Sequence, residues 1–412
     1  MADNKQKIFV PSYMKQFACI GPSCEDTCCV GWRVNIDSAT YKKYNKMREL
    51  NFKKVLDKHV KRNRSNPTEA HYAKIIMDSN GACPLLNDEK LCSVQAKMGD
   101  EYLSVTCSSY PRITNKVNGV LEKSATMSCP EAARLALLNS GGIQFEEIEE
   151  SNTVRNAYFS QVDTLNKAEN KIVQYFWELR IFSIQVLQNR EYSLSDRLIA
   201  LGMFFQKLQT YINDDKVTDI PKLIASYTKL LEDGLKGNLS AIPISATIQM
   251  LLVKKLNDMR FMKGVNSKRY VECCQEMAQG IGYTEDTSLE LVTENYQKAY
   301  HKYYLPFMME HEYILENYLV NYVYKNLFPV NNGKAVFDEY VMLVVHFAII
   351  KLVLIGMAGF HKEKLNIDHI IKLIQSFAKI VEHSNSFLME VRDLLRNSGY
   401  ISMAYMSILI KN

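Results

Sequence analysis

Residues 340 to 360 read YVMLVVHFAIIKLVLIGMAGF, and the class of the whole fold turns on them. A run of that length can span a bilayer, which takes about 20 apolar residues. His346 and Lys351 fall near its middle, where each is costly in hydrocarbon. The surrounding chain is an ordinary mixture, 47% hydrophobic and 23% charged. The run is therefore expected to be a buried central helix and not a membrane span, with its two polar side chains facing a cavity or a partner. His346 is either a functional residue or a satisfied core histidine.

Outward from this run, helical spacing recurs. Leu165, Ala168, Ile172, Phe176 and Leu179 fall in one window, and Leu289, Val292, Tyr296, Ala299 and Tyr303 in another. Ser193 or Ser195 can cap a helix beginning near Asp196, and Gly399 can stop the one that carries Phe387, Leu388, Val391, Leu394 and Leu395. Pro221, Pro243, Pro306 and Pro329 are expected at breaks between helices. No fixed-period repeat or low-complexity tract interrupts them. The expected fold class is mainly α, with residues 141–412 as a large all-helical body.

Residues 1–140 differ in kind. They hold Pro11, Pro22, Pro67, Pro84, Pro111 and Pro130, and eight of the ten cysteines: Cys19, Cys24, Cys28, Cys29, Cys83, Cys92, Cys107 and Cys129. This part is expected to be a loop-rich, cysteine-rich metal-binding segment packed on the body, because ligation can replace a continuous core. The chain begins MADNKQKIFV, with no apolar run behind its charged residues, so the expected location is a reducing cytoplasm, where thiols stay available as ligands. A chain of 412 residues has no need of disulfide staples. Cys273 and Cys274, in VECCQEMA, read as small hydrophobes of a helix.

Charge is asymmetric as well. Residues 1–140 carry 21 Lys and Arg against 14 Asp and Glu, and ten of those cations lie between Lys42 and Arg64. The run is either a solvated helix face or a patch for an anionic partner. It lacks the interleaved aromatics of single-strand binders, so nucleic acid is not the expected partner.

Thiolates suit zinc or iron and exclude magnesium and calcium, which need oxygen ligands. Structural zinc usually draws on C-x2-C pairs, and the chain has none. The spacing C-x4-C-x3-C-C, followed by scattered cysteines from separate loops, suits an iron-sulfur cubane better, with zinc in reserve. Neighbouring side chains diverge, so one of Cys28 and Cys29 is expected to ligate. Cys24, Cys28 or Cys29, Cys92 and Cys107 lead the ligand set, and Cys19, Cys83 and Cys129 stay in it.

The blocks FACIGPSCEDTCCVGWRVNID (17–37), CPLLNDEKLCSVQ (83–95), TCSSYPRI (106–113) and SCPEAARLALL (128–138) resemble the flagellin lysine-N-methylase family. The first three also resemble a broader group of cysteine-rich zinc- or iron-chelating bacterial proteins. The likeness continues through WELRIFSIQVLQNREYSL (177–194) and ENYLVNYVYKNLFP (316–329). It implies methyl transfer from S-adenosylmethionine to lysine ε-amino groups of flagellin, with an iron-sulfur cluster held by the cysteine motifs.

Two departures bear on mechanism. Gly141-Gly142 and Gly280-Ile-Gly282 are isolated glycines and make no nucleotide fingerprint, so S-adenosylmethionine would bind outside the doubly wound fold. Cys28 is followed directly by Cys29, so the radical-enzyme spacing C-x3-C-x2-C is not met. Position in the motifs makes Trp32, Arg33 and Arg112 candidates for holding the cofactor and Tyr110 the candidate catalytic phenol near the amine. Each has a structural alternative: Trp32 as a cover for the metal loops, the arginines as partners of loop carbonyls. Glu312 and Glu316 are further acids that could complete a site.

Overall fold

The Val336–His361 helix contains the 340–360 run and is buried from Val336 to Ala358. Among the described residues it is the helix long and apolar enough to cross a membrane, and protein encloses its apolar stretch. Its polar residues meet different surroundings. Lys351 donates to the Ile410 carbonyl at 2.7 Å and faces a cavity. His346 lies edge-on to the Tyr322 and Phe377 rings, and neither of its ring nitrogens has a hydrogen-bond partner among the described residues. It is thus a core histidine but not a satisfied one, and burial holds its pKa down at about 4.

This computed structural model describes residues 5–30, 34–89, 91–151, 159–165, 171–235, 245–262, 264–265, 267–284, 286–330 and 335–412. The body is mainly α, as its periodicity predicts. The Leu194–Asn213 helix starts where Ser193 Oγ accepts the Asp196 N–H at 3.2 Å. The Leu289–Ala299 helix runs into a π-helical turn, Tyr300–Tyr304. Pro221 and Pro306 sit in the first turns of Ile220–Glu232 and Leu305–His311, and Pro329 follows Tyr313–Lys325. Pro243 lies outside the described residues. Gly399, at φ +70°, follows the Asn385–Asn397 helix. Cys273 and Cys274 are buried inside Lys268–Gly280.

One helical window is shorter than its spacing suggests. The helix begins at Phe176, not near Leu165, which is 77% exposed; Ala168 lies outside the described residues. The close crossing of Lys268–Gly280 with the central helix rests on glycine. A Cβ on Gly280 would fall on the Gly356 carbonyl oxygen, and Gly359 lies against the Gly280 carbonyl, so these two backbones touch.

The N-terminal part contains more regular structure than its prolines suggest. Strands β1 (Lys5–Pro11), β2 (Asn35–Ile36), β3 (Val60–Arg62), β4 (Ala73–Ile75), β5 (Arg112–Val117), β6 (Val120–Ala125), β7 (Phe145–Ser151) and β8 (Ser160–Val162) form two sheets. The larger has the order β7-β1-β6-β5-β8, so it takes strands from both sides of residue 140. β1 is antiparallel to β7, with Ile8 opposite Ile148, and parallel to β6. β5 and β6 form a hairpin through Asn118-Gly119, both at positive φ as such two-residue turns require. Arg180 clamps Glu122 of β6 with two bonds of 2.7 Å, which seats this sheet on the body. The smaller sheet, order β2-β4-β3, has its own core of Val34, Ile36, Phe52, Leu56, Ile75 and Leu85.

Candidate active site at the thiol seam

Two short bridges decide which thiols meet. Val30 pairs with Ala82, and the Cys83 N–H donates to the Cys29 carbonyl at 2.8 Å. Leu86 pairs with Cys92, at the start of the Ser93–Met98 helix. Cys107 sits in the Val105–Ser109 helix, its N–H capped by Ser104 Oγ at 3.2 Å. Asp37 ties that helix to β2 by accepting the Val105 N–H at 3.0 Å while also capping Ser38–Asn45 through Thr40. Cys29, Cys83, Cys92 and Cys107 therefore pack on the one small core. Cys28 adjoins them, with its Sγ 3.8 Å from that of Cys29.

The environment sorts these thiols. Burial pushes Cys83 up to about 11 and Cys107 up to about 12. The contact with Cys28 pushes Cys29 up, and the same contact, helped by the Lys379 ammonium, draws Cys28 down to about 7. Buried neighbouring thiols cannot all ionise without a cation among them, and sulfur donors select a soft metal. Among the described residues no three Cys, His, Asp or Glu side chains converge closely enough to hold a bare ion.

Cys19, Cys24 and Cys129 form a separate group. The charges of Cys24 and Cys19 act on Cys129, at the start of the Pro130–Leu137 helix. Arg134 of that helix holds Glu25 through two bonds, of 2.5 and 3.3 Å. Cys24, one of the four leading candidates, thus stands with this second group, and Cys83 occupies the place beside Cys29.

Where the thiol loop meets the body, a polar seam is half-buried. Lys379 donates to both Asp26 carboxylate oxygens at 3.0 Å and to the Thr27 carbonyl at 2.9 Å. Gln375 donates to Asp26 and to the Ser128 carbonyl, both at 2.8 Å. Tyr110 OH lies 3.1 Å from Ser128 Oγ, which lies 3.0 Å from His383 Nε2. Burial holds the Tyr110 phenol well above its ordinary value. The row runs from half-buried Tyr110 through buried Ser128 to His383, which is exposed to solvent.

Of the other candidates, Arg112 stacks over the Phe17 ring at 4.9 Å, while Trp32 and Arg33 lie outside the described residues. Glu312 and Glu316 are held by Arg197, each at 2.7 Å, and Glu316 also by Arg190. Glu312 borders a separate cavity of about 520 Å³, with Tyr300, Tyr304, Phe347 and Lys351.

Asp26, Ser128, Gln375, Lys379 and His383 escape a motif reading. Asp26 and Ser128 do lie inside cysteine blocks. Gln375, Lys379 and His383 recur every fourth residue through an apolar run, which is the signal of a polar stripe on a buried helix.

Residues 180–409, more than half of the chain, match the model of the FliB lysine N-methylase C-terminal domain. The chain belongs to the FliB lysine N-methylase family. With that family it is a protein-lysine N-methyltransferase. The FliB match covers the body and includes Gln375, Lys379 and His383, while the thiols precede it. Similarity to whole relatives reaches further. A lysine-N-methylase of Salmonella typhimurium is 23% identical over 387 residues, 91% of this chain and 92% of that one. A lysine-N-methylase of Salmonella choleraesuis aligns over the same shares at 23%. The flagellar biosynthetic protein FliU of Salmonella muenchen is 33% identical over 122 residues, 29% of this chain and 71% of its own. No solved structure matches.

Proposed function

We propose that this methylase transfers methyl groups from S-adenosylmethionine to lysine ε-amino groups of flagellin in the cytoplasm, with an iron-sulfur cluster held by its thiol unit. The observation that carries the reading is the seam, in which the Tyr110 phenol, the Ser128 hydroxyl and the His383 imidazole share one hydrogen-bonded row. Flagellin as substrate is supported by the flagellar name of the Salmonella muenchen relative.

Cys29, Cys83, Cys92 and Cys107 would hold the cluster, with Cys28 alongside. Four thiols spread about a small core suit a multi-iron cluster better than one zinc ion, which needs its sulfur ligands at about 2.3 Å. When bound, the cluster would supply Lewis-acidic iron able to fix the amino and carboxylate groups of the methyl donor at an iron that no cysteine holds, so that three of these four thiols would ligate. The protein's own task is the proton. A free lysine titrates near pKa 10.4 and must lose its proton before it can attack. His383 Nε2, 3.0 Å from Ser128 Oγ, can accept that proton through Ser128 from a lysine placed at Tyr110. Asp26, fixed by Lys379 and Gln375, holds the thiol loop in register with the row.

The test is anaerobic purification, iron, sulfide and zinc analysis, and transfer of labelled methyl groups to flagellin. About four irons and four sulfides per chain are expected. His383→Gln should keep that metal content and lower kcat by roughly 10²- to 10⁴-fold. Zinc without sulfide, or an unchanged kcat in the variant, would refute this reading.

A further inference from the structure

The strand and helix beside the thiols carry a surface that methyl transfer leaves unused. In the Leu50–His59 helix, Phe52 and Leu56 face the core on which Cys83 packs, while Lys54 and Lys58 are exposed on the opposite side. Lys42, Lys46, Arg48, Lys61, Arg62 and Arg64 are exposed close by in the chain. Between Lys42 and Arg64 the only acids are Glu49 and Asp57, and the one ion pair there among the described residues is Lys53–Asp57 at 3.4 Å. Several cations elsewhere are matched: Arg134, Arg180, Arg197 and Lys379 each hold a carboxylate. A set of like charges left without counter-ions opposes its own folding, so a solvent role alone explains it poorly.

Part of this basic region borders a groove, on the side of the helix to which Leu56 points. The groove, of about 390 Å³, has Tyr41, Tyr44, Leu56 and Val60 among its lining residues, with the cations Lys61, Arg62 and Arg64 against the single acid Asp57. Its aromatic rings are already engaged. Tyr41 packs on Tyr72 at 5.3 Å, Arg62 lies over Tyr72 at 4.8 Å, and Tyr44 donates to the Tyr102 carbonyl at 2.9 Å. Free faces for stacking bases are what a single-strand binder would need. Three cations beside a lining of mixed polarity suit instead a peptide segment that offers carboxylates and an occasional apolar side chain.

We infer that this groove and its cations dock an acidic segment of the protein substrate, beside the small core on which the thiols pack. The inference rests on the protein-lysine methylation proposed above. Docking there holds the substrate by charges remote from the reacting lysine, so it acts on the affinity for intact protein and leaves the chemical step alone.

The experiment compares the wild-type holoenzyme with a full-length variant carrying Lys61→Glu, Arg62→Glu and Arg64→Glu, residues of the groove and outside the seam. Two substrates are used, intact flagellin and a short flagellin peptide with one lysine and no acidic residues, each at low and high salt. At low salt the variant should raise KM for flagellin by about tenfold or more with kcat unchanged, and leave the peptide kinetics and iron content alone. High salt should raise the wild-type KM toward that of the variant. Should the charge-reversed protein fail to fold, the Gln versions of the same three residues carry the test, with a smaller shift expected. Equal flagellin KM in wild type and variant at low salt overturns the docking face. So does binding to polyuridylate or to anionic vesicles that exceeds binding to flagellin and disappears in the variant. Absence of methyl transfer by the wild type to either substrate would instead refute the proposed function, which keeps the two failures apart.

Discussion

The thiol unit and the helical body bury their residues by different means. The body surrounds a 26-residue helix with apolar side chains and balances its few buried charges locally, as Arg197 does with Glu312 and Glu316. The thiol unit has a dozen buried hydrophobic residues around a three-stranded sheet whose strands are two or three residues long. A core that small does not hold a fold without crosslinks or metal. One region is therefore expected to stand on burial and the other on ligation.

The widest separation of the two should come from Cys107→Ser. Loss of that thiol is expected to abolish cluster retention and methyl transfer together and to open residues 34–109 to limited proteolysis, while the central helix stays protected in hydrogen exchange. Simultaneous exposure of both regions would erase the contrast. Within the body, Arg197→Met removes a charge-assisted bond from each of Glu312 and Glu316, of which Glu316 keeps Arg190, and should lower stability by about 3–5 kcal/mol in denaturant titration, without changing iron content.

The smallest effect is pH-dependent. His346 is held down at about 4 by burial, and in the unfolded chain it titrates near 6.5. Between those values the unfolded state binds more protons, so stability is full above pH 6.5 and falls as pH drops toward 4, by on the order of 3 kcal/mol. His346→Phe should flatten that slope in urea titrations between pH 4 and 6.5. An unchanged slope would move its origin elsewhere in the chain.

Much of the body was legible because a helix advertises itself locally. Leu289, Val292, Tyr296 and Ala299 lie on one helix as their spacing predicts, and Ser193 provides the cap. The sheets were harder. β1 and β7 answer each other only in three dimensions, where Lys7 meets Glu147 at 2.7 Å across 140 residues of chain. VNGV at 117–120 was a readable hairpin signal. The cysteines were conspicuous, but their grouping depends on the pairing of Val30 with Ala82, which no spacing rule reveals. Tyr110 was reachable through its motif. His383 and Lys379 were not, because their partners Ser128 and Asp26 lie more than 250 residues away in sequence.

The contact of Lys268–Gly280 with the central helix has a consequence for how this chain tolerates change. Replacing glycine by alanine within a helix ordinarily stabilises it, by up to about 1 kcal/mol. At Gly280 and Gly356 the added methyl would enter the facing helix, and the backbones would have to separate. Mutational freedom in the body is thus inverted at this crossing: the mildest substitution in a helix becomes one of the least acceptable, and no larger residue offers an escape.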